Sequence, residues 1–155
     1  MSFSLTRKTD YALVALSALA RQGLDDDQAL SARQLATSNG LPQQLLMNVL
    51  KELHRAGLVG SRRGASGGYY LELAPEEITL KRVIEVFDGP VNVALCSGDH
   101  PNKEDGTPCA IVSSCPISKP IRKFDDLLNQ FLDQITLRQL FDHESPVAMP
   151  IGVIV

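Results

Sequence analysis

The chain has 155 residues, 44% of them apolar and 21% charged, with no tryptophan and a formal net charge of −3. That composition suits one folded domain with an appendage and excludes wholesale disorder, collagen-like repeats and a pair of full-sized domains. No apolar run approaches the ~20 residues of a membrane-spanning helix, and the N-terminus MSFSLTRKTDYALVAL lacks the layout of a secretory signal. A cytoplasmic protein with no membrane partner is the expectation. Charge is uneven: residues 1–82 carry 10 Lys/Arg against 8 Asp/Glu, and residues 83–155 carry 5 against 10. The two halves therefore suggest different jobs.

The first periodic segment runs from about Thr6 to Ala20. Tyr11, Leu13, Val14, Leu16, Ala18 and Leu19 cover more than half of a helix circumference, so a largely buried helix ending at Gly23 is expected. An acidic stretch, Asp25-Asp26-Asp27, follows as a solvated connection. Ser31-Ala-Arg-Gln34 has the form of a capping box, in which hydroxyl and amide satisfy backbone donors reciprocally. The short helix it opens closes at Gly40, and Pro42 suits the first turn of the next helix. That helix is expected to turn Leu45, Leu46, Val49, Leu50 and Leu53 inward and to stop at Gly57. Two helices joined by a tight glycine-containing turn make a helix-turn-helix.

Leu58 to Leu73 reads as two short strands around a glycine-rich turn, completing a winged helix. Thr79 caps a helix carrying Val83, Ile84, Val86 and Phe87, which ends at Asp88-Gly89-Pro90. Periodicity then disappears until Pro120, and Cys96, Cys109 and Cys115 all lie in this stretch. Beyond it Ile121, Phe124, Leu128, Phe131 and Ile135 recur at heptad spacing, a seam widened by Leu127 and Leu132. Thr136-Leu-Arg-Gln139 opens one more short helix, and an apolar tail ends the chain. The expected fold is mainly α with a small β-hairpin wing. Its parts are a winged helix-turn-helix over 1–89, a cysteine-bearing loop over 90–119, a dimerisation helix and short terminal helix over 120–144, and a tail over 145–155.

A recognition helix needs polar side chains opposite its core stripe, because base edges in the major groove are read by hydrogen bonds. Gln43, Gln44, Met47, Asn48 and Lys51 lie on that face. Glutamine and asparagine suit adenine, and Lys51 suits phosphate or guanine. Ser31 and Ser61, with Arg62 and Arg63 on the wing, complete the candidate contacts to double-stranded DNA, the two arginines reaching phosphate or a minor groove. The bland alternative is a solvated helix face and ordinary surface arginines. A phosphate loop at Gly64-Ala-Ser-Gly-Gly68 is excluded because no Lys-Ser/Thr follows it.

Three cysteines spaced C-x12-C-x5-C do not suit a disulfide framework, and zinc usually shows C-x2-C pairs. Thiolates bind soft metals and iron–sulfur clusters, but most such clusters take four protein ligands. On the residues alone, unliganded thiols remain open. No catalytic Ser–His–Asp, Cys–His or paired-carboxylate arrangement is recognisable, so an enzyme is not expected.

The segments LTRKTDYALVALSALA, SARQLA, LHRAGLVGSRRGASGGYYL and ITLKRVIEVFDGP, followed by three cysteines, an amphipathic helix and ITLRQL, resemble winged-helix regulators of the IscR and NsrR type, the Rrf-two family. The likeness covers the chain to about Phe141, and AGLV…RG…GGY is its most specific part. It implies a homodimer whose long helices cross between subunits. It also implies a 2Fe-2S or 4Fe-4S cluster on Cys96, Cys109 and Cys115, whose state sets affinity for operator DNA, and a role as a repressor. In one branch a histidine three residues after the last cysteine completes the ligands, and this chain has Ser118 there. In another an acidic residue of the partner's first helix does so, and Asp10 occupies that position. A further variant adds a histidine where this chain has Val14. His100 is a rival ligand within the loop, whereas His54 and His143 read as surface residues. Two alternatives stay beside this one: a winged-helix regulator using its cysteines as a thiol switch or without a cluster, and a winged-helix module that docks proteins.

Overall fold

The computed structural model describes residues 4–25, 29–94, 96–97 and 109–142. In chain order these form α1 (Arg7–Asp25), α2 (Ala32–Asn39), α3 (Gln43–Arg55), β1 (Val59–Arg62), β2 (Gly68–Leu71), α4 (Leu80–Asp88), α5 (Ser118–Gln134) and α6 (Leu137–Phe141). The result is the expected winged helix with a long C-terminal helix. His100, His143, the acidic pair Asp26-Asp27 and the apolar tail lie outside the described residues.

Helix α1 buries Ala12, Ala15, Leu16, Leu19 and Ala20, with Tyr11, Leu13 and Ala18 half-buried around them. Its outer edge is open, and Val14 keeps 38% of its surface. The helix continues through Gly23 to Asp25, beyond the expected stop. A single glycine costs a helix only about 1 kcal/mol, less than a well-packed helix needs to end there.

The capping box of α2 forms as expected: the Gln34 N–H donates to Ser31 Oγ at 3.1 Å and the Ser31 N–H to Gln34 Oε1 at 2.8 Å. Gly40, at φ +64°, closes the helix with the left-handed residue its C-terminus requires. Pro42 precedes α3 as its cap, one position earlier than expected. Leu46, Val49, Leu50 and Leu53 point into the core, but Leu45 does not and is 50% exposed. At roughly 100° per residue it falls beyond the edge of the stripe the other four share, which corrects the expectation that it turns inward.

The wing is an antiparallel pair in which Val59 faces Leu71 and Ser61 faces Tyr69. Leu30 joins it from before α2: the Leu30 N–H donates to the Tyr69 carbonyl at 2.9 Å and the Tyr69 N–H to the Leu30 carbonyl at 2.8 Å. Gly68 permits this approach, since a Cβ there would fall inside the Leu30 backbone. The wing is thus tied to the start of α2 as well as to α3.

A second apolar cluster of Ile84, Val91 and Leu132, with Leu5, Leu80 and Leu128 around it, joins α4 to α5. The end of α5 is fastened there: the Leu80 N–H donates to the Ile135 carbonyl and the Leu137 N–H to the Ile78 carbonyl, both at 2.7 Å. Leu137 and Phe141 of α6 then enter the main core beside α1. One chain therefore carries α5 outward from, and back into, the winged helix.

Asp88, at the end of α4, accepts the Thr9 hydroxyl at 2.8 Å and the Thr6 N–H at 3.3 Å, tying the start of α1 to α4. Burial pulls this carboxyl's pKa upward, but the hydrogen bonds from Thr6 and Thr9 outweigh it and hold the pKa below the usual carboxylate value. A carboxyl depressed in the folded state stabilises the protein fully above its unfolded pKa of about 4, and loses that contribution as pH falls through the folded value. Asp88→Asn should therefore lower the melting temperature modestly at neutral pH, and the gap from wild type should narrow in acid below about pH 4. Thermal denaturation of both proteins in the two pH ranges checks this.

Candidate DNA interface and cysteine segment

Once Leu46, Val49, Leu50 and Leu53 are buried, helical periodicity leaves Gln43, Gln44, Asn48 and Lys51 on the outer side of α3. All four are exposed, and none makes a side-chain hydrogen bond among the described residues. The C-terminal end of α3 is held. The Arg82 guanidinium donates to the Ala56 carbonyl at 3.2 Å, where positive charge also suits the helix C-terminus. His54 Nδ1 meets the Val59 carbonyl at 2.9 Å, closing the joint between α3 and the wing. A third tie runs to α1: Lys8 Nζ stands 3.0 Å from Glu52 Oε1. The two residues are 44 apart in the chain, and no local pattern signals such a pair.

On the wing, Ser61, Arg62 and Arg63 are all exposed. The Arg62 guanidinium stacks 4.7 Å above the Tyr70 ring. Stacking fixes the plane of the group while its N–H edges stay free to donate, the arrangement a phosphate contact needs. Arg63, the next residue, opens the turn. Ser31 is half-buried, and its oxygen is occupied as the α2 cap. Its hydroxyl hydrogen remains available to donate to an anion.

All three cysteines are free and half-buried. The segment leading to Cys96 is held on α5 by a polar clamp with no signal in the heptad pattern. Asp125, only 5% exposed, accepts the Val93 N–H at 2.6 Å. The Asn129 amide donates to the Val91 carbonyl at 3.0 Å and to the Asp125 backbone carbonyl at 3.0 Å. Arg122 Nε donates to the Cys96 carbonyl at 2.8 Å. At the other end, the Ser118 hydroxyl donates to the Cys115 carbonyl at 2.9 Å, so this side chain serves the first turn of α5.

Asp10 is exposed in the first turn of α1. Among the described residues of one chain, no three Cys, His, Asp or Glu side chains converge as metal ligands. The donor set nevertheless has the right chemistry for an iron–sulfur cluster, being three unpaired, partly shielded thiols with a carboxylate on an exposed helix face.

The heptad residues divide. Leu128 and Ile135 pack within their own chain, Leu128 against the α4–α5 cluster and Ile135 buried at the end of α5. Ile121 and Phe131 are half-buried and Phe124 is 54% exposed. Ile117, 60% exposed, extends the same spacing backwards by four residues.

Comparison with known proteins agrees with this architecture. Residues 5–143 match the family model Rrf2, described as an iron-dependent transcriptional regulator. An rrf2-like HTH-type transcriptional regulator of Rhodobacter capsulatus is 32% identical over 148 residues, covering 93% of this chain and 96% of that protein. The HTH-type transcriptional repressor NsrR of Streptomyces coelicolor is 28% identical, covering 96% of this chain and 90% of that protein. Among solved structures, CymR, the global cysteine regulator of B. subtilis, superimposes with a TM-score of 0.70 at 26% identity, over 93% of this chain and 100% of that one. No helix of the described residues is long and apolar enough to cross a membrane. The chain belongs to the Rrf2 family of winged-helix, DNA-binding transcriptional regulators and is not an enzyme.

Proposed function

We propose that the protein is a homodimeric repressor whose operator affinity is governed by an iron–sulfur cluster on Cys96, Cys109 and Cys115, with Asp10 of the partner subunit as the fourth ligand. The observation that carries this reading is one chain with three free, half-buried thiols, two of them in segments bonded to α5 through the Cys96 and Cys115 carbonyls, while α3 and the wing present Gln43, Gln44, Asn48, Lys51, Arg62 and Arg63 to solvent. Ile117, Ile121, Phe124 and Phe131 supply the apolar seam for a second α5. When bound, the cluster supplies iron–thiolate bonds that respond to oxidants, nitric oxide or cluster supply.

The chain's own residues supply the linkage to DNA. The Asp125–Asn129 clamp fixes the approach to Cys96 on α5, and the Leu80 and Leu137 backbone bonds fix the end of α5 on α4. The Lys8–Glu52 pair connects the first turn of α1, where Asp10 lies, to α3. A change in how the cysteine segment meets the partner's α1 would thereby alter the separation of two recognition helices, which must match half-sites about one DNA turn apart.

The DNA contacts are tested by salt dependence. Replacing Arg62 and Arg63 together by alanine should weaken binding to all duplexes alike and reduce the slope of log affinity against log salt by about two. An unchanged slope in fluorescence-anisotropy titrations would remove the wing from the interface. A thiol switch is the second reading, favoured by the free, half-buried state of the cysteines.

A further inference from the structure

Met47 is an apolar side chain set in the middle of a polar row. It lies on α3 one turn after Gln43 and Gln44 and one turn before Lys51, beside Asn48. It is 39% exposed and belongs to neither apolar cluster of the chain, so the core gives no reason for its presence. Leu45, also exposed, occupies the far flank of the helix, roughly 160° around from Met47 at 100° per residue.

The amides and amine around Met47 can exchange hydrogen bonds with base edges, but a thioether is a weak acceptor and no donor. Its useful property at such a surface is to remove another apolar group from water, and its unbranched, flexible chain adapts to the shape it meets. Of the four bases, only thymine presents a methyl group in the major groove. We propose that Met47 selects thymine at one position of each operator half-site by packing on the thymine C5-methyl, next to positions where Gln44 and Asn48 address adenine. This deepens, and rests on, the assignment of α3 as the DNA-reading helix.

The test uses duplexes enriched by the full-length protein from a randomised pool. In the selected operator each thymine is replaced singly by deoxyuridine, which deletes the C5-methyl and nothing else. One thymine per half-site should weaken wild-type binding about four-fold on replacement, the factor that corresponds to burying one methylene-sized group. Met47→Ala should bind the thymine and uracil duplexes equally, at the wild-type level for uracil, while Met47→Leu keeps the preference. Met47 is exposed, so its replacement should leave the fold intact, which unchanged thermal melting verifies. Two results overturn the proposal: no thymine whose replacement weakens wild-type binding, or a Met47→Ala protein that retains the same thymine preference. Failure to enrich any sequence would overturn the DNA-reading role of α3 itself, and the Met47 proposal with it.

Discussion

Asp125→Ala is expected to free the segment before Cys96 from α5. The carboxylate is almost wholly buried and accepts the Val93 N–H at 2.6 Å, while its residue also receives the Asn129 amide. Hydrogen bonds to a charged acceptor are worth about 1.5–3 kcal/mol, and few solvent molecules reach this one to replace it. Amide hydrogen exchange at Val93 should accelerate by about ten- to a hundred-fold, with little change at Leu50 or Leu53 in the main core. Asp125→Asn keeps an acceptor oxygen in place and should restore most of the protection. Exchange at Val93 unchanged by Asp125→Ala would mean that apolar contacts of Val91, and not the polar clamp, hold this segment.

Gln44→Ala combined with Asn48→Ala should abolish most of the preference for operator over non-specific DNA. Each side chain can make a two-point contact with adenine, worth about 1–3 kcal/mol of discrimination, or about ten- to a hundred-fold per position. Neither touches the core, so stability should stay within about 0.5 kcal/mol of wild type. The salt slope should also persist, because phosphate contacts from Lys51, Arg62 and Arg63 remain. Competition titrations with operator and scrambled duplexes measure both quantities. A double variant that still discriminates as wild type would place base reading elsewhere on the protein.

Much of this architecture was legible because it depends on local chemistry. Ser31 with Gln34 and Thr136 with Gln139 form the capping boxes their spacing implies, and the strands fall on either side of the glycine-rich turn. The outward row of α3 follows directly from the inward one. Leu45 misled because composition, not angle, placed it in the core, and Gly23 misled because one glycine is too weak a signal to end a packed helix.

The long-range ties were invisible for a different reason. Asp125 and Asn129 sit inside an apolar heptad and read as ordinary surface polar residues until the chain folds Val91 and Val93 onto them. Likewise Lys8 and Glu52, or Thr9 and Asp88, are distant partners with no spacing rule to announce them. The cysteine pattern was visible, yet its meaning came from resemblance to a family, because three thiols alone suit several chemistries. The split of the heptad seam required α4: its apolar face claims Leu128 and leaves Phe124 outside.

The central claim is that operator affinity depends on an iron–sulfur cluster held by the three cysteines. Anaerobic purification of wild type and Cys109→Ala, with iron and sulfide analysis, absorbance spectra, native mass spectrometry and operator titration on the same samples, tests it most directly. The account predicts a coloured wild-type dimer containing iron and sulfide, a colourless variant, and different operator affinities for the two at equal salt. A wild-type protein that stays colourless after reconstitution with iron and sulfide, or a cluster whose loss leaves operator affinity unchanged, would contradict it.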